Sequence, residues 1–236
     1  MRSTARQRCA YGLRVVAAAL LVMLVTPAGG SASDSSASAK VAAPASSLDP
    51  DVLALALRAA SCARRKQLLE AGDTLTVIDY SRPSTSPRLW VLDLQRGEVL
   101  FEELVAHGRE SGANRSTRFS NELGSHQSSL GLFVTLDDYV GRHGRSLRLA
   151  GLEPGVNDRA LERALVIHGA DYVSKGFGAK HGRLGRSFGC AALSRETAPK
   201  VIDRIRGGSA VFAYYPDPAW LASSSFLGAC EPQVTP

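Results

Sequence analysis

Two segments, ALVIHGA at residues 164–170 and GRLGRSFGCAAL at residues 182–193, place a histidine and a cysteine beside predicted strand structure. The apolar run of the first segment predicts a strand, and a histidine at a strand end beside a glycine is well placed to face a cleft. The second segment is a glycine-rich turn that ends in Cys190. Cys190 is therefore either a nucleophile with His168 as its base or a small core residue after a turn. His181 lies closer to Cys190 in the sequence and competes for the role of base.

The residues just before Cys190 fit the nucleophile interpretation. Gly189 allows a tight turn and the close approach of a substrate. Ser187 adds a hydroxyl group and Arg186 adds a fixed positive charge. Backbone N–H groups in such a turn can stabilise a developing oxyanion. A neutral His168 could accept the thiol proton if a neighbouring carbonyl fixed its other ring nitrogen.

The N-terminus has the layout of a secretory signal peptide. Four arginines and no acidic residue flank an apolar run at residues 15–25, and small residues follow it. This run is shorter than the roughly 20 residues that a membrane-spanning helix needs. We therefore expect residues 1–32 to be a signal peptide with an approximate cleavage site, and no integral membrane segment after cleavage. The protein would be exported to the periplasm or cell envelope.

The positive charge of the chain is concentrated in that signal. Lysine and arginine number 28 against 22 aspartates and glutamates, which gives a formal net charge of +6. Four of the arginines belong to the signal peptide, so the mature chain carries about +2. A nucleic-acid partner is therefore not expected, because the basic excess that would attract it is mostly an export signal.

Three cysteines follow the signal peptide: Cys62, Cys190 and Cys230. Outside the cytoplasm thiols tend to be oxidised in pairs, and an odd number leaves one thiol over. Three pairings are possible. A bridge between Cys62 and Cys230 would tie the two ends of the domain together and leave Cys190 free. The alternative is that Cys62 and Cys230 are also free thiols.

The segment before the folded domain has two parts. Residues 33–48 are dominated by serine and alanine, a composition that predicts a flexible linker. Residues 49–72 predict an N-terminal amphipathic helix that packs on the domain by one face, with Asp49 as its N-cap and Gly72 at its exit. Residues 218–236 are assigned to a C-terminal tail.

From residue 73 the hydrophobic pattern changes to short β-rich runs separated by turn residues, and no repeat of fixed length appears. The runs are TLTVIDYS, RLWVLDLQ, EVLFEELVAH, LGLFVTLDDYV, SLRLAGL, the strand that ends at His168, and SAVFAYYPD. Helices are expected at residues 158–164 and after an N-cap at Ser194. We therefore expect a mostly-β fold over residues 73–217, a sandwich or barrel with a few peripheral helices.

The remaining polar residues give weaker predictions. The other four histidines and Cys190 show no C-x-x-C or H-x-x-x-H spacing, so we expect no metal and no cofactor. A basic set in the loop before Cys190 is interpreted as a solvated loop, or alternatively as a surface that attracts an acidic peptide; it consists of Lys175, Lys180, Arg183 and Arg186.

Several short motifs occur in order between the first strand and Cys190. They are VAHG (105–108), SGAN (111–114), FSN (119–121), SSLG (128–131), HGRSLRL (143–149) and GVNDRA (155–160). Together with IHGA and GRLGRSFGCAAL they resemble the murein L,D-transpeptidase catalytic domain family, the YkuD-like family. The resemblance covers roughly residues 73–216 and extends to the preceding helix, and the fold expected here is that of the family's β-rich catalytic domain.

The resemblance implies a set of catalytic residues. Cys190 matches the family nucleophile, and His168 matches the histidine that activates it. The backbone at Gly169 matches the carbonyl that orients the imidazole. Ser187 and Gly189 match the serine and the glycine of the nucleophile motif.

It also implies candidates for substrate binding. Arg186 matches a position that this branch of the family keeps basic, and we interpret it as a clamp for a substrate carboxylate. Arg183, His181 and Phe188 are further candidates. Phe188 stands where many relatives have a histidine or another polar residue.

The implied partner is a peptidoglycan stem peptide. The Cys190 thiolate would attack the carbonyl of the third stem residue, form a thioester and pass the acyl group to an amine of another stem. One alternative is an L,D-carboxypeptidase or endopeptidase that resolves the same thioester with water. A second is a non-catalytic wall-binding module.

Overall fold

The computed structural model of the protein describes residues 47–70, 73–228 and 230. The signal peptide expected at residues 1–32 and nearly all of the linker expected at 33–48 lie outside the described residues. Gly72 lies outside them as well. In the part that is described, no helix is both long and apolar enough to cross a membrane.

Eight strands form one continuous sheet. In chain order they are β1 (Thr74–Asp79), β2 (Leu89–Asp93), β3 (Glu98–Glu103), β4 (Gly131–Gly141), β5 (Gly144–Gly151), β6 (Val166–Gly169), β7 (Ala191–Leu193) and β8 (Ala210–Tyr214). The order across the sheet is β3-β2-β1-β8-β4-β5-β6-β7. The pairs β1–β8 and β6–β7 are parallel, and the other neighbours are antiparallel. The prediction of a mostly-β, barrel-like fold is confirmed, and β7 is the strand that the sequence did not predict.

The sheet curls until its two edges nearly meet. The segment that follows β3 pairs with β7 through a bridge between Ala106 and Ala192. The Ala106 N–H donates to the Ala192 carbonyl at 2.8 Å, and the Ala192 N–H donates back at 3.4 Å. Such closure removes most of the exposed edge of a sheet. It also brings the segment after β3 beside the turn that contains Cys190.

The centre of the sheet is buried on both faces. Every residue of β1 and β2 is buried, as expected for strands covered on both sides. Helices α1 (Pro50–Arg65) and α3 (Thr197–Ile205) pack on the sheet against β1. The buried stripe of α1 is dominated by alanines, which allow the helix to approach the strands closely.

Helix α1 is shorter than the predicted range of residues 49–72. It begins as predicted, because the Asp49 carboxylate accepts the N–H of Asp51 at 2.8 Å and Pro50 occupies the first turn. It ends at Arg65. Gln67 has a φ of +57°, a left-handed conformation that an α-helix cannot continue.

Residues 158–164 form turns and not the predicted helix. The Arg163 N–H bonds to the Arg159 carbonyl, four residues back, whereas the Leu165 N–H bonds to the Ala160 carbonyl, five residues back. This mixed spacing does not build the regular ladder of a helix. The segment ends at Ala164, which has a φ of +54°.

A short helix, α2 (Lys175–His181), forms where the sequence predicted a loop. The Ser174 hydroxyl accepts the Phe177 N–H at 3.1 Å and caps the first turn. Gly182 follows the helix in the left-handed conformation that commonly ends helices. Lys175 and Lys180 lie on this helix, so the basic set is only partly in a loop.

The C-terminal residues from 218 to 228 belong to the folded domain, and their assignment to a tail is wrong. Helix α4 (Pro218–Ser223) buries Trp220, whose indole N–H donates to the Glu153 carboxylate at 3.2 Å. Phe226 and Leu227 are buried in the same hydrophobic core as the sheet. The apolar side chains of this segment therefore cover part of the sheet.

A disulfide joins Cys62 of α1 to Cys230. This is the pairing that the sequence favoured, and Cys190 is the free cysteine among the described residues. The two bonded cysteines are 168 residues apart in the sequence. A link across so long a loop restricts the unfolded chain strongly and stabilises the folded state.

Replacing both Cys62 and Cys230 by serine should lower the free energy of unfolding by about 2–4 kcal/mol. Urea unfolding, followed by tryptophan fluorescence, measures this difference. Under reducing conditions the unmodified protein and the double variant should unfold at nearly the same urea concentration. Equal stability of the two proteins under oxidising conditions would show that the disulfide does not form.

Candidate active site

The parallel pairing of β6 with β7 places Cys190 and His168 on the same side of the sheet. Ile167 lies opposite Ala191, so Cys190 is next to Val166. Side chains alternate along a strand, and residue 168 therefore points to the same side as residue 166. Both His168 and Cys190 line one cavity of about 420 Å³. The tertiary structure thus brings the two residues together across 22 residues of sequence.

The His168 ring is held through its Nδ1 atom. Nδ1 lies 3.0 Å from the Gly169 carbonyl oxygen. A carbonyl can only accept, so this contact assigns the proton to Nδ1 and leaves Nε2 as the basic nitrogen of the neutral ring. Burial lowers the pKa of His168, the bond to Gly169 opposes that effect, and the electrostatic influence of His143 and Arg195 adds to the lowering. The imidazole is therefore neutral at neutral pH and able to take a proton.

Cys190 rests as a thiol. Its Sγ lies 3.7 Å from the Ala164 carbonyl, to which the thiol can donate. Burial raises the pKa of Cys190, while the backbone N–H of Val166 and the guanidinium of Arg163 act in the opposite direction. A raised thiol pKa together with a lowered imidazole pKa means that the resting pair is uncharged, and a nucleophile forms only when the proton moves.

The turn before Cys190 requires glycine at position 189. Gly189 has a φ of +125°, and a Cβ atom there would lie 2.9 Å from the Gln127 carbonyl oxygen. The Ser187 hydroxyl accepts the Gly189 N–H at 3.1 Å and donates to the Cys190 carbonyl at 2.7 Å. Ser187 therefore fixes the shape of the turn on which the thiol sits.

A buried serine from another part of the chain supports the same turn. The Ser128 hydroxyl donates to the Gly189 carbonyl at 2.9 Å and accepts the Gly108 N–H at 3.0 Å. The backbone at Ser187 also pairs with the segment after β3, since its N–H donates to the His107 carbonyl at 3.0 Å. The turn before Cys190 is thus hydrogen-bonded to two motifs that are distant in sequence, VAHG at 105–108 and SSLG at 128–131.

A fully buried arginine holds that segment in place. The Arg88 guanidinium donates to the Val105 carbonyl at 3.0 and 2.7 Å and lies 2.8 Å from Nδ1 of His107. Burial and the charge of Arg88 lower the pKa of His107 to about 3. His107 is therefore a neutral structural acceptor and not a base for the thiol.

Two of the predicted substrate-binding residues line the cavity. Arg186 does so, although its Nη1 also donates to the carbonyls of Arg109 and Gly112 at 3.1 and 2.9 Å. Phe188 is 55 % exposed. Its ring contacts both the Arg109 guanidinium and the His126 ring, each 4.7 Å from the Phe188 ring centre. Phe188 therefore presents a partly exposed aromatic ring at the edge of the cavity.

The structure does not bring the other two candidates into this cavity. His181 is exposed at the end of α2, and its ring packs on Phe177 at 4.4 Å. Arg183 donates to the Leu184 carbonyl at 2.9 Å. Neither is among the residues that line the cavity with Cys190. His181 and Arg183 are close to Cys190 in sequence but do not share its cavity, because α2 and its C-cap direct both side chains away from the turn.

Sequence reasoning missed several residues of the site, and three of them lie close to Cys190 or His168. Arg163, Ala164 and His143 all line the cavity. The guanidinium of Arg163 donates to neutral oxygens of the loop at residues 120–129, including the Gln127 carbonyl at 2.6 Å and the Ser129 hydroxyl at 2.6 Å. Of these residues, Arg163 could have been found from the sequence, because it directly precedes the apolar run that ends in His168.

No metal centre is found in the site. Within the ranges that the structure describes, no group of three or more histidine, cysteine, aspartate or glutamate side chains could hold a metal ion. The chemistry of the cavity is that of a thiol, an imidazole and surrounding guanidinium groups.

A family model described as "L,D-transpeptidase catalytic domain" matches residues 44–214. The matched range contains α1 and all eight strands, so it includes the helix to which the resemblance was extended. Among curated proteins, no sequence matches the chain.

Several solved structures resemble the chain at low identity. An L,D-transpeptidase from Mycobacterium smegmatis is 15% identical over 61% of this chain and 59% of its own, with a TM-score of 0.39. LdtMt1 in complex with imipenem is 16% identical over 61% and 60%, with a TM-score of 0.39. The cell shape determining protein Pgp2 from Campylobacter jejuni is 14% identical over 67% and 54%, with a TM-score of 0.42. The chain spans less than two thirds of each of these proteins, and similarity at this level adds no argument to the family match.

Replacing Arg163 by methionine should raise the pKa of the Cys190 thiol, because the guanidinium charge that favours the thiolate is lost. Alkylation of Cys190 by iodoacetamide at pH 7 should become several-fold slower, as measured by intact mass. Arg163→Lys keeps the charge and should react at close to the original rate.

Arg159→Met is the matched control for this experiment. Arg159 bonds to Glu122 and Glu162 on the surface and does not line the cavity. Its loss should leave the alkylation rate unchanged. Equal rates for the Met and Lys variants of Arg163 would contradict an electrostatic role.

Proposed function

The chain belongs to the L,D-transpeptidase catalytic domain family, and on that premise we propose that it transfers the acyl group of a peptidoglycan stem peptide through Cys190. The observation that carries the proposal is the single cavity that holds the free thiol of Cys190 and the imidazole of His168. The Gly169 carbonyl fixes that imidazole in the tautomer a base requires.

The first half-reaction forms a thioester. Nε2 of His168 accepts the thiol proton, and Sγ of Cys190 attacks the carbonyl carbon of the third stem residue. The tetrahedral intermediate collapses and breaks the amide bond to the terminal D-amino acid. The amine of that residue leaves with the proton that His168 had taken, so the imidazole returns to its neutral form.

The second half-reaction uses the same base. An amine of a second stem peptide attacks the thioester carbonyl and loses its proton to Nε2 of His168. The Cys190 thiolate leaves and is reprotonated by the imidazolium. The product is a new amide, which is a cross-link between two stems. Water in place of the amine would give a shortened peptide instead.

The charge around the cavity suits an acidic substrate. Among the described residues that line it, three carry guanidinium groups, Arg142, Arg163 and Arg186, and none is an aspartate or a glutamate. A stem peptide carries free carboxylates, which planar guanidinium groups bind well. Arg186 lies four residues before Cys190 on the same turn, and we propose it as the group that binds a carboxylate beside the nucleophile.

Export of the protein is part of the proposal. A disulfide between Cys62 and Cys230 is stable in an oxidising compartment, whereas cytosolic reductants would open it. Together with the predicted signal peptide at residues 1–32, this supports a mature domain in the periplasm or cell envelope, where peptidoglycan is found.

The rate of Cys190 acylation should depend on pH through His168. Because the pKa of His168 is lowered, the neutral base persists in mild acid, and the acid limb of the profile should have its midpoint below the ordinary value of about 6.5. His168→Ala should remove this limb and reduce the rate at pH 7 by about 100-fold or more. The remaining rate should rise only at alkaline pH, where the thiol itself ionises.

His181→Ala is the matched control, since the structure places that histidine outside the cavity. Stopped reactions with imipenem, read by intact mass, give the profile for each variant. Loss of the acid limb in His181→Ala and its persistence in His168→Ala would reverse the assignment of the base.

Incubation with a disaccharide-tetrapeptide should yield a product whose mass shows loss of the terminal residue and gain of a second stem. Cys190→Ala should give no product. Loss of the residue without gain of a stem would identify a hydrolase. Full turnover by Cys190→Ala would show that the nucleophile is wrong, and no turnover or adduct with the unmodified protein would favour a wall-binding module.

A further inference from the structure

The β4–β5 hairpin extends beyond the core and ends above the cavity. The first part of β4 is buried, whereas its last residues, from Tyr139 to Gly141, are exposed. Gly141 pairs with Gly144, so the tip consists of Arg142 and His143 alone. Gly144 has a φ of +77°, a conformation suited to glycine, and it closes this tight turn.

The tip places His143 against the proposed base. The rings of His143 and His168 have centroids 4.7 Å apart and planes inclined by 33°. His168 is only 3% exposed, whereas His143 is exposed. The His143 ring is therefore the layer between the His168 ring and solvent on this side of the cavity.

The bonding of His143 argues against a role as a second base. The Arg142 Nε–H donates to Nε2 of His143 at 3.0 Å. That bond occupies the lone pair of Nε2, and the neutral ring then carries its proton on Nδ1. While Arg142 donates to Nε2, the His143 ring has no free basic nitrogen. We therefore look for the role of His143 in its ring contact with His168.

The β4–β5 hairpin, called the arm below, is held to the domain beneath its tip, and these contacts fix the position of the tip. Arg145 bonds to Asp138 across the hairpin at 2.6 Å and to Asp203 of α3 at 2.7 Å. Arg148 lies over the Tyr139 ring at 4.2 Å. These contacts join the two strands of the arm to each other and to a helix of the core.

We propose that His143 is a positioning residue that holds the His168 ring at the angle required to take the proton of Cys190. The bond from Nδ1 to the Gly169 carbonyl restrains one edge of the His168 ring, and contact with the His143 ring restrains its face. The orientation of the base thus depends on the tip of the hairpin, which is also the part of the cavity wall that contains Arg142. This inference rests on the proposed function of Cys190 and His168.

The test compares His143→Ala with His143→Phe. Phenylalanine keeps a ring against His168 but cannot exchange protons. A ring contact of this kind supports about a 3- to 10-fold effect, so acylation of Cys190 by imipenem should slow by that factor in His143→Ala and recover in His143→Phe. Val140→Ala, at a residue that is 83% exposed on the same arm, is the matched control and should react at the original rate.

Two further measurements distinguish the positioning role of His143 from a purely structural role. The melting temperatures of the three variants should equal that of the unmodified protein, because His143 is exposed. In NMR spectra the Nδ1–H signal of His168 should be sharp in the unmodified protein and in His143→Phe, and broadened by exchange with water in His143→Ala.

Two results would overturn the inference. One is an unchanged acylation rate in His143→Ala, and the other is a rate for His143→Phe as low as that for His143→Ala. Cys190→Ala, measured alongside, keeps the failures distinct. If it still forms the adduct, or if the unmodified protein forms none, the proposed function fails; if it forms none and His143→Ala reacts at full rate, only the positioning role fails.

Discussion

The Ser128 hydroxyl carries the bonds on which the geometry of the site depends. It accepts the Gly108 N–H and donates to the Gly189 carbonyl, so one buried group links two stretches of backbone that are distant in sequence. Gly189 can present its carbonyl to Ser128 because its φ of +125° is open to glycine. A side chain at position 189 would meet the Gln127 carbonyl and displace the thiol that follows.

Closure of the sheet is what brings these stretches together. The segment after β3 starts at one edge of the sheet, and β7 forms the other edge. The bridge between Ala106 and Ala192 joins the two edges and lays the 105–108 segment along the turn before Cys190. The ordered short motifs of the sequence then acquire a common explanation, since VAHG, SSLG and the residues around Cys190 bond directly to one another.

Much of the fold could be predicted from local pattern. The strands are short and rich in β-branched and aromatic residues, and seven of the eight strands were predicted from the sequence alone. The predictions were wrong for segments whose structure is determined by long-range packing. The segment at residues 218–228 has little pattern of its own but buries Trp220 and Phe226 against the sheet, and residues 158–164 have a helical composition but turn so that Ala164 presents its carbonyl to Cys190.

The sequence by itself identified the candidate residues of the chemistry: a cysteine after a glycine-rich turn, and a histidine at the end of an apolar strand. The roles proposed for them rest on residue type and on motif order, which are local properties. Only the tertiary structure decided which other side chains surround them. Arg163 and His143 reach the cavity from the turns before β6 and from the tip of a hairpin, and His181 is carried away from it by α2. The physical reason is that strand pairing and sheet closure, and not distance along the chain, set which side chains share a cavity.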